Sequence, residues 1–208
     1  IGFDPEWRMN ITFTNESGGV LTDHLVRLTN VESGWMISHF TDTEGRWIAH
    51  VPEGDWIVTI EAFETSPGVQ EILRDLVTIS TDSSSDDISI STGEAANVTV
   101  ALTDEFDANQ ISGASLKLTS QDGLGTITVN QTSGSGIADV FLTPGNWTVE
   151  LNITKESYYG YEGGTRWVIA PMEIQEGGLA AGEYIEIDFA IPRQIQMTGS
   201  VFWDYNDN

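Results

Sequence analysis

Apolar and polar residues alternate along much of the chain with a period of two. Met9, Ile11 and Phe13 alternate with polar residues near the start. Leu116 and Leu118 do the same in the second half of the chain. Successive side chains of a β-strand point to opposite faces, so this pattern predicts strands that bury one face.

Short segments of this kind, bounded by Gly, Asp, Asn or Pro, fill both halves of the chain. The predicted strands of the first half are 8–14, 24–31, 35–42, 46–51, 56–63, 72–80 and 87–92. Those of the second half are 97–103, 114–120, 125–133, 137–143, 147–154, 166–175 and 184–191. Seven short strands, with a turn signal about every eight to twelve residues, are typical of a β-sandwich. We expect an all-β protein.

The chain also repeats itself. Residues 34–61 overlay residues 125–152 without a gap at a shift of 91 positions. The identical pairs are Gly34 and Gly125, Thr41 and Thr132, Gly45 and Gly136, Gly54 and Gly145, Trp56 and Trp147, and Val58 and Val149. A repeat of this length predicts two tandem seven-stranded β-sandwiches at 1–94 and 95–192. Because 195–203 reads as one more opening strand, 193–208 is predicted to begin a third unit.

Each copy places a turn directly before a tryptophan. Residues 52–55 and 144–146 reverse the chain, and Trp56 and Trp147 follow them. The valine two residues after each Trp shares its face. We expect both Trp side chains in the cores rather than exposed for stacking on sugars.

The charge of the chain narrows the choice of partners. It has 208 residues, with 32 acids against eight bases and a formal net charge of −24. Such a surface repels nucleic acids and anionic membranes, attracts divalent cations and suits a salty medium. The absence of Cys excludes disulfides, Cys-ligated zinc and thiol catalysis. The chain has no apolar run long enough to span a membrane. Since it begins with Ile1, we expect a removed leader or a piece of a longer protein.

Two motifs of the first copy point to a known family. Thr41–Trp47 reads Thr-Asp-x-x-Gly-x-aromatic, and 52–58 reads Pro-Glu-Gly-Asp-Trp-Ile-Val. Together they resemble the carboxypeptidase regulatory-like family, and Ile111–Leu116 resembles the start of that family's second strand. The second copy departs from the motif at Ser133, where the family has Asp. The resemblance covers both copies and implies non-catalytic, transthyretin-like sandwiches of secreted and surface proteins. Gly199–Asn208 is similar to the start of the calcium-binding B-type repeats of cell-surface adhesins.

Three groups of side chains are candidate Ca²⁺ ligands. Asp204, Asn206 and Asn208 carry oxygen ligands at positions 1, 3 and 5 of an EF-hand type of loop. The other groups are the carboxylates of Asp104, Glu105 and Asp107, and those of Asp82, Asp86 and Asp87. Solvated acidic loops are the alternative interpretation of both clusters. We hypothesise a calcium ion that stiffens the join between copies.

Six Asn-x-Ser/Thr sequons predict N-glycosylation and an exterior location. They lie at Asn10, Asn15, Asn97, Asn130, Asn146 and Asn152. The alternative is that such triplets follow from the many threonines that strands favour.

The sequence gives little support for catalysis. The order of His24, His39 and His50 matches no hydrolase motif, and the chain has no nucleophile elbow, zinc-binding helix motif or phosphate loop. We therefore predict that the protein is not an enzyme. His39 is interpreted as a strand residue.

Carbohydrate binding is the main alternative function. Four aromatic residues crowd into a glycine-rich segment, where flat rings can stack on sugars: Tyr158, Tyr159, Tyr161 and Trp167. We favour the alternative that they cover the end of the sandwich or pack against a neighbouring copy. We predict a structural module of a secreted, multi-repeat surface protein, such as a stalk, adhesin or surface-layer component. Its predicted partners are neighbouring copies through edge strands, other surface proteins and, in the alternative, glycans.

Overall fold

The computed structural model of the chain describes residues 7–79, 86–104, 108–111, 113–129, 136–154 and 166–191. Every regular element in these residues is a β-strand. The all-β prediction is therefore confirmed. The predicted strand at 195–203 lies outside the described residues.

The described residues form fifteen strands, which follow one another in sequence order. The first eight are β1 (Trp7–Thr14), β2 (Leu25–Asn30), β3 (Met36–Phe40), β4 (Arg46–Val51), β5 (Gly54–Ser66), β6 (Val69–Ile79), β7 (Asp86–Ser91) and β8 (Gly93–Glu94). The others are β9 (Ala96–Asp104), β10 (Ala114–Ser120), β11 (Thr126–Val129), β12 (Ile137–Leu142), β13 (Trp147–Thr154), β14 (Arg166–Glu173) and β15 (Tyr184–Ile191). Each of the fourteen strands predicted between 8 and 191 is present at its place. The two-residue β8 was not predicted, because two residues give no periodicity.

The two halves of the chain repeat one topology. In sheet β4-β1-β7 the central strand is antiparallel to β4 and parallel to β7, and sheet β12-β9-β15 repeats this arrangement. The other two sheets, β3-β2-β5-β6-β8 and β11-β10-β13-β14, are antiparallel throughout. The sequence repeat is thus a repeat of sheet topology.

Each pair of sheets encloses its own hydrophobic cluster. One cluster draws buried side chains from β1, β2 and β4–β7, and the other from β9, β10, β12, β13 and β15. We call the β1–β8 body the first sandwich and the β9–β15 body the second sandwich. The domain boundary at 94 and 95 and the third unit at 193–208 stay predictions.

The two repeated tryptophans lie inside these clusters. Trp56 is 0% exposed and Trp147 is 2% exposed, and the valine that follows each by two residues is fully buried. The indole N–H of Trp56 donates to the Pro52 carbonyl at 3.1 Å, and that of Trp147 to the Thr143 carbonyl at 2.9 Å. Each large apolar ring is therefore buried with its polar group paired. The prediction of a core role is confirmed.

The gapless overlay is wrong by one residue in one hairpin. The Asn30 N–H donates to the Trp35 carbonyl at the β2–β3 turn, and the Ser120 N–H donates to the Gly125 carbonyl at the β10–β11 turn. Gly125 therefore corresponds to Trp35 and not to Gly34. An alignment by residue identity pairs the two glycines, because the sequence does not show the register of the strands. The second copy has one more residue between β11 and β12.

Candidate functional site

The two sandwiches meet at a cleft of about 480 Å³. On one side lies the outer face of strands β2, β5 and β6, and on the other lie the edge strands β11 and β12. The cleft follows from the hairpin β10–β11, whose turn contacts the first sandwich. We call this region, where side chains of the first sandwich contact the β10–β11 hairpin of the second, the junction.

Arg74 of β6 makes the polar contacts of the junction. Its Nε–H donates to the Leu124 carbonyl and an Nη2–H donates to the Thr126 carbonyl, the latter at 3.4 Å. Burial lowers the pKa of Arg74 below its ordinary value. A guanidinium still keeps its proton at any physiological pH, so the side chain remains a fixed fork of donors.

Two isoleucines add apolar contacts around this arginine. Ile57 is 8% exposed and Ile72 is 7% exposed, although neither belongs to the two cores. A Cβ on Gly125 would lie 3.2 Å from Cδ1 of Ile57 and 3.1 Å from Nη2 of Arg74. Gly125 also has a φ of 82°. Glycine at this turn therefore allows both the backbone conformation and the close approach of the first sandwich.

The charges in the cleft balance, unlike those of the chain as a whole. Arg27 pairs with Glu61 at 3.2 Å, and both line the cleft with Arg74 and Asp139. The Thr143 hydroxyl also lines the cleft and is buried without a hydrogen-bond partner. The cleft therefore has no net charge, although it lies between two acidic bodies.

The Thr-Asp-x-x-Gly motif of the first copy has a structural role. The Thr41 hydroxyl donates to the Leu21 carbonyl at 2.5 Å and accepts the His24 N–H at 3.0 Å. Oδ1 of Asp42 accepts the N–H groups of residues 46 and 44, each at 2.8 Å, and these bonds lower the pKa of Asp42. The motif ties two loops and a turn together.

Glu71 is a buried carboxylate that sequence reasoning missed. It is 4% exposed, and its Oε2 accepts the Glu16 N–H at 3.1 Å and the Thr92 hydroxyl. These bonds tie β6 to the loop after β1 and to the segment after β7. In a chain with 32 acids, no local pattern distinguishes this one.

The predicted calcium ligands lie largely beyond the described residues. Asp204, Asn206, Asn208, Glu105, Asp107 and Asp82 fall outside them. Asp104 ends β9 and Asp86 begins β7, whereas Asp87 accepts a hydrogen bond from Asn10. The part of the chain that the structure describes contains no group of three His, Asp or Glu side chains placed to hold a metal.

Of the four aromatic candidates, only Trp167 lies among the described residues. Tyr158, Tyr159 and Tyr161 lie outside the described residues. Trp167 lies in β14 opposite Ile153 of β13, and so belongs to a strand and not to the glycine-rich loop.

The sequons divide between strands and turns. Asn10, Asn97 and Asn152 lie in β1, β9 and β13, which are central strands of their sheets. The Asn10 amide N–H donates to Asp87 at 2.8 Å. Asn146 is exposed in the turn before β13, where its backbone N–H donates to Asp122 at 2.8 Å. Asn15 accepts the Gly19 N–H at 2.6 Å in the turn after β1. Asn130 lies outside the described residues.

Two of the three histidines make ring contacts. The His24 ring lies edge-on to Phe63 with centroids 4.6 Å apart, and the His39 ring stacks on Trp47 at 6.0 Å. His50 lies in β4 opposite Arg8. Within the described ranges, no helix is long and apolar enough to cross a membrane.

Comparisons with known proteins give weak likenesses. No model of a known protein family matches the chain, and no curated protein matches it. The resemblance to the carboxypeptidase regulatory-like family therefore stays a prediction.

Several solved structures align over most of the chain. The Bacillus anthracis TIE protein is 15% identical, with 91% of this chain and 34% of that protein covered at a TM-score of 0.37. A streptococcal ancillary pilin is 13% identical, with 91% and 63% covered at 0.33. The shaft pilin SpaA of Lactobacillus rhamnosus GG is 10% identical, with 94% and 100% covered at 0.34. The chain thus spans about a third of the length of the TIE protein and under two thirds of that of the ancillary pilin. Likenesses this distant carry no functional conclusion.

Proposed function

We propose that this chain is a non-catalytic structural module of a secreted or cell-surface protein, in which successive sandwiches form a stiff spacer. A stalk, an adhesin shaft and a surface layer all need bodies that hold a fixed orientation to one another. Two observations support this proposal. The same sheet topology occurs in both halves of the chain, and specific contacts join the two copies.

The junction at Arg74 is the observation that carries the proposal. A flexible tether would leave the outer sheet face of the first sandwich in solvent. Instead, Ile57 and Ile72 are buried there, and the guanidinium is bonded to carbonyls of the second sandwich. Charge-assisted hydrogen bonds contribute about 1.5–3 kcal/mol each in favourable geometry. Together with the apolar contacts, they favour one relative orientation of the two bodies.

Distance measurements between spin labels test this rigidity. The chain has no native Cys, so Ser89→Cys in β7 and Asp188→Cys in β15 place one label on each sandwich. We expect a single narrow distance distribution between the labels. Arg74→Ala should broaden the distribution, because it removes both polar contacts.

Arg27→Ala is the matched control for that measurement. Arg27 lies on the same sheet face and pairs with Glu61 of its own sandwich. Its removal should leave the distribution narrow. A broad distribution in the chain with native Arg74 would contradict the spacer proposal.

The location and modifications of the module need separate tests. We expect antibodies against the chain to label intact cells of the organism that encodes it, and intact-mass measurement of the native protein to reveal glycans. Asn15 and Asn146 are the first sites to map, because both lie in turns. Absence of labelling on intact cells would contradict the surface location.

Calcium binding remains part of the proposal. Oxygen ligands from Asp204, Asn206 and Asn208 suit Ca²⁺. The bound cation would also reduce the repulsion among the carboxylates of a chain with a net charge of −24. We expect EDTA to lower the melting temperature and CaCl₂ to restore it. An unchanged melt would contradict this part without affecting the spacer.

Carbohydrate binding through the segment 156–167 is the alternative function. It predicts that a glycan array binds the native chain and that Tyr158→Ala with Tyr159→Ala abolishes the binding. A spacer predicts no glycan-dependent signal in either protein.

A further inference from the structure

β3 (Met36–Phe40) is an edge strand that lacks the usual protection against pairing. It bonds to β2 alone in its sheet, and the register of the pair runs from Leu25–Phe40 to Thr29–Met36 without a bulge. Natural edge strands are commonly blunted by Lys, Pro, bulges or inward charges. The sequence Met-Ile-Ser-His-Phe has none of these, although the chain carries 32 acids.

The outward side of this edge carries two exposed apolar side chains, and Arg27, which lies opposite Ser38 on β2, is neutralised by Glu61 at 3.2 Å. Met36 is 55% exposed and Phe40 is 54% exposed. Leu25, directly opposite Phe40 on β2, is 40% exposed. A row of free backbone groups flanked by exposed apolar side chains is typical of a surface that another strand covers.

The second sandwich shows what this position in the fold is used for. Its corresponding hairpin, β10–β11, contacts the first sandwich, where Arg74 bonds to the carbonyls of Leu124 and Thr126. The β2–β3 turn is open by comparison, because a Cβ on Gly34 meets no described atom within 4 Å. The same hairpin therefore contacts another sandwich in one copy and is open in the other.

Charge decides between the kinds of partner that the edge can take. A basic partner would be drawn to the acidic surface that makes up most of the molecule and would gain nothing from a neutral strip. A second chain of net charge −24 is repelled almost everywhere and can approach most easily where the surface is uncharged. The edge is also self-complementary, since its sequence places Ser38 midway between two apolar residues.

We propose that β3 pairs antiparallel with β3 of a second copy of this chain, around a two-fold axis at Ser38. This inference rests on the proposed function and names the surface through which the module assembles. Met36 of each copy then lies opposite Phe40 of the other, and two five-stranded sheets become one continuous sheet. The contact is isologous and closes at a dimer.

The size and charge of this contact set its behaviour. A pair of five-residue strands buries less than the roughly 1,200 Å² of a stable interface, so the dimer is weak and reversible. Repulsion between two acidic chains is screened by salt. The dimer therefore strengthens as NaCl is added, opposite to an assembly held by ion pairs.

Cysteine cross-linking of the full chain tests the proposal. Directly opposed residues in an antiparallel pair have Cα atoms about 4.5–5.5 Å apart, which suits a disulfide. Ser38→Cys should give a disulfide-linked dimer on mild oxidation in high salt. The matched control is Ser89→Cys, an exposed serine on the edge strand β7. We expect cross-linking to be at least about tenfold faster at position 38, because pairing raises the local thiol concentration.

A second substitution separates pairing from random collision. Phe40→Lys in the Ser38→Cys chain places a charge on the edge and should reduce cross-linking to the rate of the control. Ile48→Lys, at a similarly exposed position on β4, should leave the fast rate unchanged. Equal rates at positions 38 and 89, or a fast rate that survives Phe40→Lys, would overturn the proposal.

Failure here is distinguishable from failure of the spacer. The spin-label distances are measured within one chain at low concentration, and β3 substitutions do not touch Arg74. A narrow intramolecular distribution with no β3 cross-link would leave the spacer and remove the dimer.

Discussion

Gly45 and Gly136 occupy equivalent positions at the starts of β4 and β12, where a side chain has no room. Their φ angles are 71° and 70°. A Cβ on Gly45 would lie 2.8 Å from the carbonyl oxygen of Phe13, and one on Gly136 would lie 2.9 Å from that of Leu102. Both obstacles are backbone atoms of the central strand of the sheet, so they cannot rotate away.

The structure separates the two penalties of an alanine here. A left-handed conformation costs a non-glycine residue about 1–2 kcal/mol. Forcing a methyl group against fixed backbone adds about 1–3 kcal/mol. Gly18→Ala isolates the first penalty, because Gly18 has a φ of 83° and nothing within 4 Å of its Cβ. We therefore expect Gly45→Ala to lower the free energy of unfolding by about 3 kcal/mol and Gly18→Ala by about 1 kcal/mol.

Urea denaturation followed by tryptophan fluorescence measures this difference. With an m-value of about 2 kcal/mol/M, the midpoint should fall by about 1.5 M for Gly45→Ala and about 0.5 M for Gly18→Ala. Gly136→Ala should act in the second sandwich alone, which hydrogen exchange of residues 96–104 would report. Equal shifts for Gly45→Ala and Gly18→Ala would refute the steric reasoning. Loss of protection in both sandwiches from Gly136→Ala would refute the independence of the two cores.

Three further predictions concern single side chains. Glu71→Ala leaves the Glu16 N–H unpaired and leaves the Thr92 hydroxyl only the Thr14 carbonyl at 3.5 Å, so it should cost about 1–3 kcal/mol of unfolding free energy. Glu71→Gln keeps an acceptor and should cost less, and equal losses in urea titrations would contradict this role. The hydrogen bonds that depress the pKa of Asp42 stabilise the fold above the ordinary value of 3.8 and are lost as the pH falls through the lower folded-state pKa. Thermal melts at stepped pH should therefore show the advantage of the native chain over Asp42→Ala shrinking only below pH 3.8, and an advantage independent of pH would contradict the assignment. Thr143→Val removes a buried hydroxyl that has no partner, so it should be neutral or stabilise the fold by up to about 1 kcal/mol; a clear loss of stability in the same urea assay would contradict that interpretation.

The strands were predictable because their alternation is local. Ile11 and Val100 are buried at the centres of equivalent strands, and each lies in a segment of alternating apolar residues. Burial of one sheet face produces this alternation directly. The polar ends of two strands lack this alternation and were not predicted. β5 continues to Ser66 and β6 begins at Val69, in a hairpin whose tip is exposed.

The junction was not predictable, because its contacts have no local signature. Arg74 and Leu124 are 50 residues apart, and a lone arginine in an alternating strand reads as an exposed residue. The same holds for Glu71 and Thr92, which meet only after the sheets form. The alignment of the two repeats failed at one turn because a local identity was misleading. Gly34 and Gly125 are identical in type, but the fold places Trp35 at the turn position that corresponds to Gly125.

The parallel pairs β1–β7 and β9–β15 have a mechanical consequence. In each sandwich the first strand and the last long strand lie side by side and run in the same direction. A pull on the two ends of a copy therefore drags these strands past each other lengthwise, and the ladder between them resists as a whole. The hydrogen bonds of six paired positions in the first sandwich and eight in the second would have to break together. Each sandwich therefore resists unfolding most strongly when tension is applied along the chain.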